Sequence, residues 1–98
     1  PLPISGKAGA TYHLVLFVAG HELNSRLARE NMEQICARDL AGQCKVETVD
    51  VLENSSLALE HNILVTPTLL LLEPGPPVVV IGNLSDHGKV RFALRLKA

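Results

Sequence analysis

Tyr12-His13-Leu14-Val15-Leu16-Phe17-Val18 is a nearly unbroken apolar run closed by Ala19-Gly20, as expected of a strand covered on both faces. The period then changes. Leu27, Ala28, Met32, Ile35, Cys36 and Leu40 recur three and four apart, with Arg26, Arg29, Glu30, Glu33 and Arg38 largely between them. That spacing predicts an amphipathic helix of about four turns, opened by Asn24 or Ser25 as N-cap and stopped by Gly42. Val46, Val49 and Val51 among polar neighbours predict a second strand over Cys44–Val51, mixed enough in character for a sheet edge. Asn54-Ser55-Ser56 offers caps for a short helix through Leu57, Ala58, Leu59 and His61. Thr66-Pro67-Thr68 leads into a strand at Leu69–Leu72, Pro74–Pro77 makes a turn, and Val78–Ile81 is a β-branched strand ending at Gly82. Those two strands should form an antiparallel hairpin. Ser85-Asp86 caps a last helix from His87 to Leu96, whose Val90, Ala93, Leu94 and Leu96 can face the sheet.

The order strand, helix, strand, helix, strand, strand, helix makes a right-handed parallel crossover followed by a hairpin and a closing helix. This is an α/β fold of thioredoxin-like type, βαβαββα, with a four-stranded mixed sheet. Ninety-eight residues with 47% apolar content fill one such domain, here residues 11–98, preceded by a Gly-, Pro- and Ala-rich segment over residues 1–10 that is expected to be flexible. Nine Lys/Arg against ten Asp/Glu, with 3% aromatics and no Trp, provide neither a basic field nor stacking platforms, so nucleic acid is not an expected partner. The Leu- and Val-rich stretch from Ile63 to Ile81 is cut by Pro67, Pro74, Pro76 and Pro77 into pieces too short to cross a bilayer. Two Cys cannot make a multi-bridge secreted scaffold and no signal peptide is seen, which favours a cytoplasmic setting.

A thioredoxin-like oxidoreductase needs a nucleophilic Cys at the start of its first helix, where the helix dipole stabilises a thiolate. That place reads Gly20-His21-Glu22-Leu23-Asn24-Ser25. Cys36 lies far down the helix and Cys44 beyond it, outside any Cys-X-X-Cys motif. They read first as two small buried hydrophobes; a thiol-sensing or redox protein using Cys36 and Cys44 is the alternative. His13, His21, His61 and His87 lack metal-ligand spacing, although His21 and His61 could meet near the loop end of the sheet. Ser25 and Ser85 read as helix caps rather than nucleophiles. No P-loop or dinucleotide fingerprint occurs, and the residues imply no catalysis, no metal and no cofactor. Pro67 at the head of the third strand is expected to be cis, presenting the backbone of Thr66 to the loop end where partners dock; a trans proline that merely opens the strand is the other reading.

Leu16-Phe17-Val18-Ala19-Gly20, Asn24-Ser25, Val49-Asp50-Val51-Leu52, Asn54, Leu57-Ala58, Ile63-Leu64-Val65-Thr66-Pro67-Thr68-Leu69 and Ile81-Gly82-Asn83-Leu84-Ser85-Asp86 together resemble the KaiB circadian-clock proteins, over Leu14 to Leu96 without evident gaps. The sensor domain of SasA-type kinases is similar but lacks this combination of motifs. The resemblance implies a non-enzymatic regulator that binds the ring-shaped ATPase KaiC. It also implies two accessible folds: a tetrameric ground state ordered βαββααβ, and a monomeric thioredoxin-like state that binds partners.

Departures from the family pattern bear on that choice. Where relatives carry Gly-Leu-Asp, this chain has Ala93-Leu94-Arg95. Gly to Ala within a helix favours it by roughly 1 kcal/mol, and a base for an acid in the last turns adds about 0.3–1 kcal/mol. Val78-Val79 replaces an Arg pair and strengthens the segment as a strand. These four residues are expected to favour the thioredoxin-like state, and with it a monomer, although the bare Val78–Ile81 edge offers a route to self-association. Asn62 and Leu71 also stand where relatives have Lys, which alters the electrostatic match to a KaiC-type ATPase or related signalling protein. The expected partner-binding residues are Asn62, Ile63, Thr66 and Pro67 at the loop end, and Lys45 and Glu47 on a second-strand edge open to strand addition.

Overall fold

The computed structural model describes residues 12–95. The expected flexible segment over residues 1–10 and Leu96 lie outside them. The described elements are β1 (Tyr12–Val18), α1 (Leu23–Arg38), β2 (Cys44–Asp50), α2 (Ser55–Glu60), β3 (Thr68–Glu73), β4 (Val78–Ile81) and α3 (His87–Ala93). They form one four-stranded sheet ordered β2-β1-β3-β4. β1 pairs in parallel with β2, from Tyr12 opposite Cys44 to Val18 opposite Asp50. β3 runs antiparallel to both β1 and β4. This is the mixed thioredoxin-like sheet the sequence pattern predicts, with β2 at one edge and β4 at the other.

The continuous apolar run of β1 has its physical cause in the two layers it serves. Leu14, Leu16 and Val18 face a core with Ala28, Met32 and Ile35 of α1, Leu69 and Leu71 of β3, Val80 of β4, and Val90 and Leu94. Val15 and Phe17 face a smaller core with Ala58 of α2 and Leu70 of β3. Covered on both sides from Leu14 to Val18, the strand has no position there to give to a polar residue. β4 shows the opposite: Val78 is half-buried and Val80 buried, while Val79 and Ile81 are exposed, because the small α2 does not extend over this edge.

Helix termini depart from the expected boundaries. α1 starts at Leu23 with Glu22 as N-cap, whose Oε1 accepts from the Ser25 N–H at 3.1 Å. Ser25 is therefore no cap. Its hydroxyl is fully buried and accepts from the Ala19 N–H at 2.9 Å, closing the turn from β1 into α1. α1 ends at Arg38, before Gly42; the Leu40 N–H reaches back to the Ile35 carbonyl at 3.2 Å and the Gly42 N–H to the Cys36 carbonyl at 2.9 Å, closing its C-terminus. α3 is capped by Asp86, which accepts from the Lys89 N–H at 3.1 Å, rather than by Ser85. The helix stops at Ala93, and Arg95 sits beyond it with φ of 61°. The expected effect of Arg95 on the helix dipole is thus corrected: its guanidinium donates to the Pro76 carbonyl at 2.8 Å, tying the chain after α3 to the β3–β4 turn.

α3 is held on α1 by polar links as well as by Val90 and Leu94. Arg38 Nη2 lies 3.0 Å from His87 Nδ1, His87 Nε2 lies 3.3 Å from Asn31 Oδ1, and Asn31 Nδ2 donates to the Asn83 carbonyl at 2.8 Å. Among the described residues no helix is long and apolar enough to cross a membrane.

Candidate functional site

The carboxyl ends of β1 and β2 and the amino end of β3 meet at one end of the sheet, which the topology makes the loop end. Its backbone is fixed by a short list of side chains. One carboxylate oxygen of Asp50 accepts from the Gly20 N–H at 3.1 Å and from the Leu52 N–H at 3.0 Å, bracing the β1–α1 turn against the segment after β2. Arg29 donates to the Gly20 carbonyl at 3.0 Å from the second turn of α1. Gly20 has φ of 55°, and a Cβ there would lie 3.2 Å from a Leu52 methyl group; both the conformation and the space call for glycine. Asn83 Nδ2 donates to Asn24 Oδ1 at 3.0 Å, joining the loop after β4 to the start of α1. The Thr66–Pro67 peptide bond is cis, and the Pro67 carbonyl accepts from the Gly82 N–H at 3.0 Å.

Large apolar side chains project from this braced end. Leu23, Leu52, Leu64 and Val65 are 59%, 74%, 89% and 48% exposed. None of the four stood among the expected site residues. Their signal in the sequence is position: each adjoins a turn or cap, outside the periodic positions that feed a core. Exposed apolar groups on a rigid polar frame are suited to burying a partner's surface, since the frame limits the ordering cost of binding. The end carries no nucleophilic constellation. Gly20-His21-Glu22-Leu23 has no thiol, and among the described residues no three His, Cys, Asp or Glu are placed to hold a metal. His13 lies 3.3 Å from Glu47, His87 is engaged by Arg38 and Asn31, and the His61 ring lies 6.0 Å from that of Phe17.

The expected site residues fall on two surfaces. Asn62, Ile63, Thr66 and Pro67 lie in the segment between α2 and β3 that enters the loop end, with Asn62 exposed, Ile63 and Thr66 half-buried and Pro67 buried. Asn62, Ile63, Leu64 and Val65 line a shallow hollow of about 110 Å³ with Val79 and Ile81 of β4. Lys45 and Glu47 sit on the far edge of the sheet, exposed, on the same face of β2 as Val49. Lys45 pairs with His13, whereas Val49 and Thr68 both pair with Phe17. Lys45 is therefore four residues, about 13 Å, below the start of β3, and the two sets cannot form one compact site.

Cys36 and Cys44 are joined in a disulfide with a Cα–Cα distance of 6.1 Å, well inside the span such a bond bridges. The reading of two separate buried hydrophobes is corrected: both residues are half-buried, and the α1–β2 connection folds back so that the first residue of β2 meets the last turns of α1. The bond lies at the opposite end of the sheet from Gly20 and Thr66-Pro67, so it does not take the place of a thioredoxin-type active site.

The matches to known proteins agree with this arrangement. The KaiB domain model matches residues 15–96. The circadian clock oscillator protein KaiB of Picosynechococcus is 43% identical over 86 residues, 88% of this chain and 83% of the relative. That of Trichodesmium erythraeum is 42% identical with the same coverage. Among solved structures, the N-terminal domain of Synechococcus elongatus SasA superposes with a TM-score of 0.72 at 24% identity, covering 94% of this chain and 91% of that one. Thioredoxin from Halobacterium salinarum superposes with a TM-score of 0.71 at 21% identity over 91% and 77% of the two chains, a likeness of fold alone. With the family motifs, the domain match over residues 15–96 and the identity to the curated relatives in agreement, the chain belongs to the KaiB family.

Proposed function

We propose that this chain is a non-enzymatic regulatory module of the KaiB type that acts by docking on a clock protein, a KaiC-type ATPase or a related signalling protein. The observation that carries the reading is the loop end: a family member's thioredoxin-like frame, braced by Asp50, Ser25 and Arg29, with no thiol where a redox enzyme needs one and with Leu23, Leu52, Leu64 and Val65 exposed. Asn62, Ile63, Thr66 and Pro67 contribute to that surface. The β2 edge, with Lys45 and Glu47, is a second and separate surface suited to strand addition. The module works as a monomer in the cytoplasm, without cofactor or metal.

The test is capture of the KaiC-type ATPase of the same organism on the immobilised chain, with ATP and with ADP. Leu52→Asp and Leu64→Asp each place a charge where a partner would desolvate it, and each should weaken capture at least tenfold, about 1.4 kcal/mol. Both side chains are exposed, so the thermal midpoint should hold. Capture unchanged by both substitutions would remove the loop end as the docking surface. A thioredoxin-type oxidoreductase reading has no comparable support, since the Cys36–Cys44 bond lies at the other end of the sheet.

A further inference from the structure

Cys44 is the first residue of β2, the open edge strand, and its sulfur is bonded to Cys36 on α1. Three observations bear on what that bond does. First, it can be reached. Both cysteines are half-buried and line an open groove of about 540 Å³ between α1 and β2, with Met32, Val46 and Thr48 along its walls. Second, the segment that it closes has backbone bonds of its own: the Gly42 N–H to the Cys36 carbonyl at 2.9 Å, the Gln43 N–H to the Leu40 carbonyl at 2.8 Å, and the Tyr12 N–H to the Gln43 carbonyl at 3.0 Å. None of these bonds runs through the sulfur link. Third, the start of β2 is held from one side, by its pairing with β1 and by Cys44 and Val46 against the larger core. It pairs on one side only, with β1, and Lys45 and Glu47 are exposed.

We propose that Cys36–Cys44 is a reversible thiol–disulfide exchange site, its reaction partner a cellular dithiol, and that its redox state sets the order of the first residues of β2. In the exchange, a thiolate of the dithiol attacks one protein sulfur. The Sγ–Sγ bond breaks, a mixed disulfide forms and the other cysteine leaves as a thiolate. The second thiolate of the reductant then displaces the remaining protein sulfur. Two electrons and two protons pass to Cys36 and Cys44, and the reductant ends as a disulfide. The chain is the target of this exchange, and no turnover on other proteins is implied. In a reducing compartment such a bond is transient, which is the regime of a switch rather than a permanent staple. Its consequence for strand addition at Lys45–Glu47 rests on the docking reading given above; the exchange and the opening of β2 do not.

The experiment treats the full chain, without denaturant, with dithiothreitol and with graded glutathione buffers. Intact mass after thiol alkylation reports the bond, and hydrogen exchange resolved along the backbone reports order. The bond should form in the oxidising buffers and open in the reducing ones while the protein stays folded. On reduction the amides of Lys45, Val46 and Glu47 should exchange at least about tenfold faster, with those of Leu14–Phe17 unchanged. The Cys36→Ser/Cys44→Ser variant should show the faster pattern throughout and ignore the reductant. Reduction only after unfolding, thiols that stay free in every buffer, or exchange at β2 indifferent to the bond would each overturn the proposal. Loss of partner capture with this chemistry intact would count against the docking reading alone.

Discussion

Ser25 shows how a single hydroxyl can hold the functional end of this fold in place. It is fully buried, accepts from the Ala19 N–H and donates to Glu22 at 3.2 Å, so one atom secures both the turn after β1 and the residue that caps α1. Ser25→Ala leaves the Ala19 N–H without its acceptor inside the fold, and should cost about 1–3 kcal/mol in urea unfolding. Ser85→Ala, at an exposed residue whose side chain caps nothing, should stay within about 0.5 kcal/mol. Equal losses for the two would show that the buried Ser25 hydroxyl contributes no more than an exposed one. The contrast also marks what could be read at this scale. Asp86 was legible within its Ser85-Asp86 pair, because a short acceptor before a helix reaches its third amide through local geometry alone. Ser25 was not distinguishable from a cap, since its acceptor role depends on where β1 ends and on the route of a four-residue turn, which no local spacing encodes. Glu22 is not legible as the cap for the same reason: a long side chain caps only when the turn folds it back.

At the scale of elements, the strands and helices follow from period and punctuation, and the shortfalls come from contacts between them. β1 was legible because burial on both faces leaves no polar position, and the β3–β4 hairpin because Pro74–Pro77 separates two apolar runs. The disulfide was not, because eight residues of separation say nothing of where the chain between them goes. That route depends on positive φ at Ala41 and Gly42, which turns the chain sharply after α1. Gly42 signals such a turn and Ala41 does not. The bond closes a nine-residue loop, for which chain entropy gives about 2–3 kcal/mol. Oxidised wild type should therefore unfold at a higher urea concentration than Cys36→Ser/Cys44→Ser, by about that free energy and with the slope little changed. A difference near zero would mean that the Leu40–Gln43 and Cys36–Gly42 backbone bonds already confine the loop in the unfolded ensemble. The split of the expected partner residues has the same origin. Lys45 and Thr66 are each legible as exposed or special positions, but the sheet order that separates them arises from the hairpin inserting β3 beside β1, away from β2.

For the whole molecule, the family resemblance implies two packings, and the residues expected to choose between them lie in β4 and from the last residue of α3 onward. Val78 and Val80 pack toward the larger core, α3 docks on α1 through Val90 and Leu94, and Arg95 ties the chain end to Pro76. By the family resemblance, Arg-Arg is expected in place of Val78-Val79 and Gly-Leu-Asp in place of Ala93-Leu94-Arg95. Restoring the four residues as Val78→Arg/Val79→Arg/Ala93→Gly/Arg95→Asp acts on each of these supports. Gly at the last position of α3 loses up to roughly 1 kcal/mol of helix propensity. A charge at half-buried Val78 must leave the core or be desolvated, and the Pro76 bond is lost. Arg95 also holds a left-handed φ that Asp tolerates better, so its replacement returns part of the loss, and the net effect rests mainly on Val78 and Ala93. Where two packings differ by only a few kcal/mol, 1–2 kcal/mol shifts their ratio by about 5–30-fold. The wild type should give one set of amide resonances with helical shifts over His87–Ala93 and a monomer mass by light scattering. The fourfold variant should add a second set with extended shifts over the same residues, together with a tetramer fraction that grows with concentration. A variant that keeps one helical set and a monomer mass would place the determinants of the fold elsewhere. A wild type already tetrameric would contradict the assignment of its resting state. The single variant Val79→Arg separates edge protection from fold choice. Val79 is exposed on an unpaired edge, so a charge there should suppress any strand-to-strand association of concentrated wild type while leaving the helical resonances of α3 where they are.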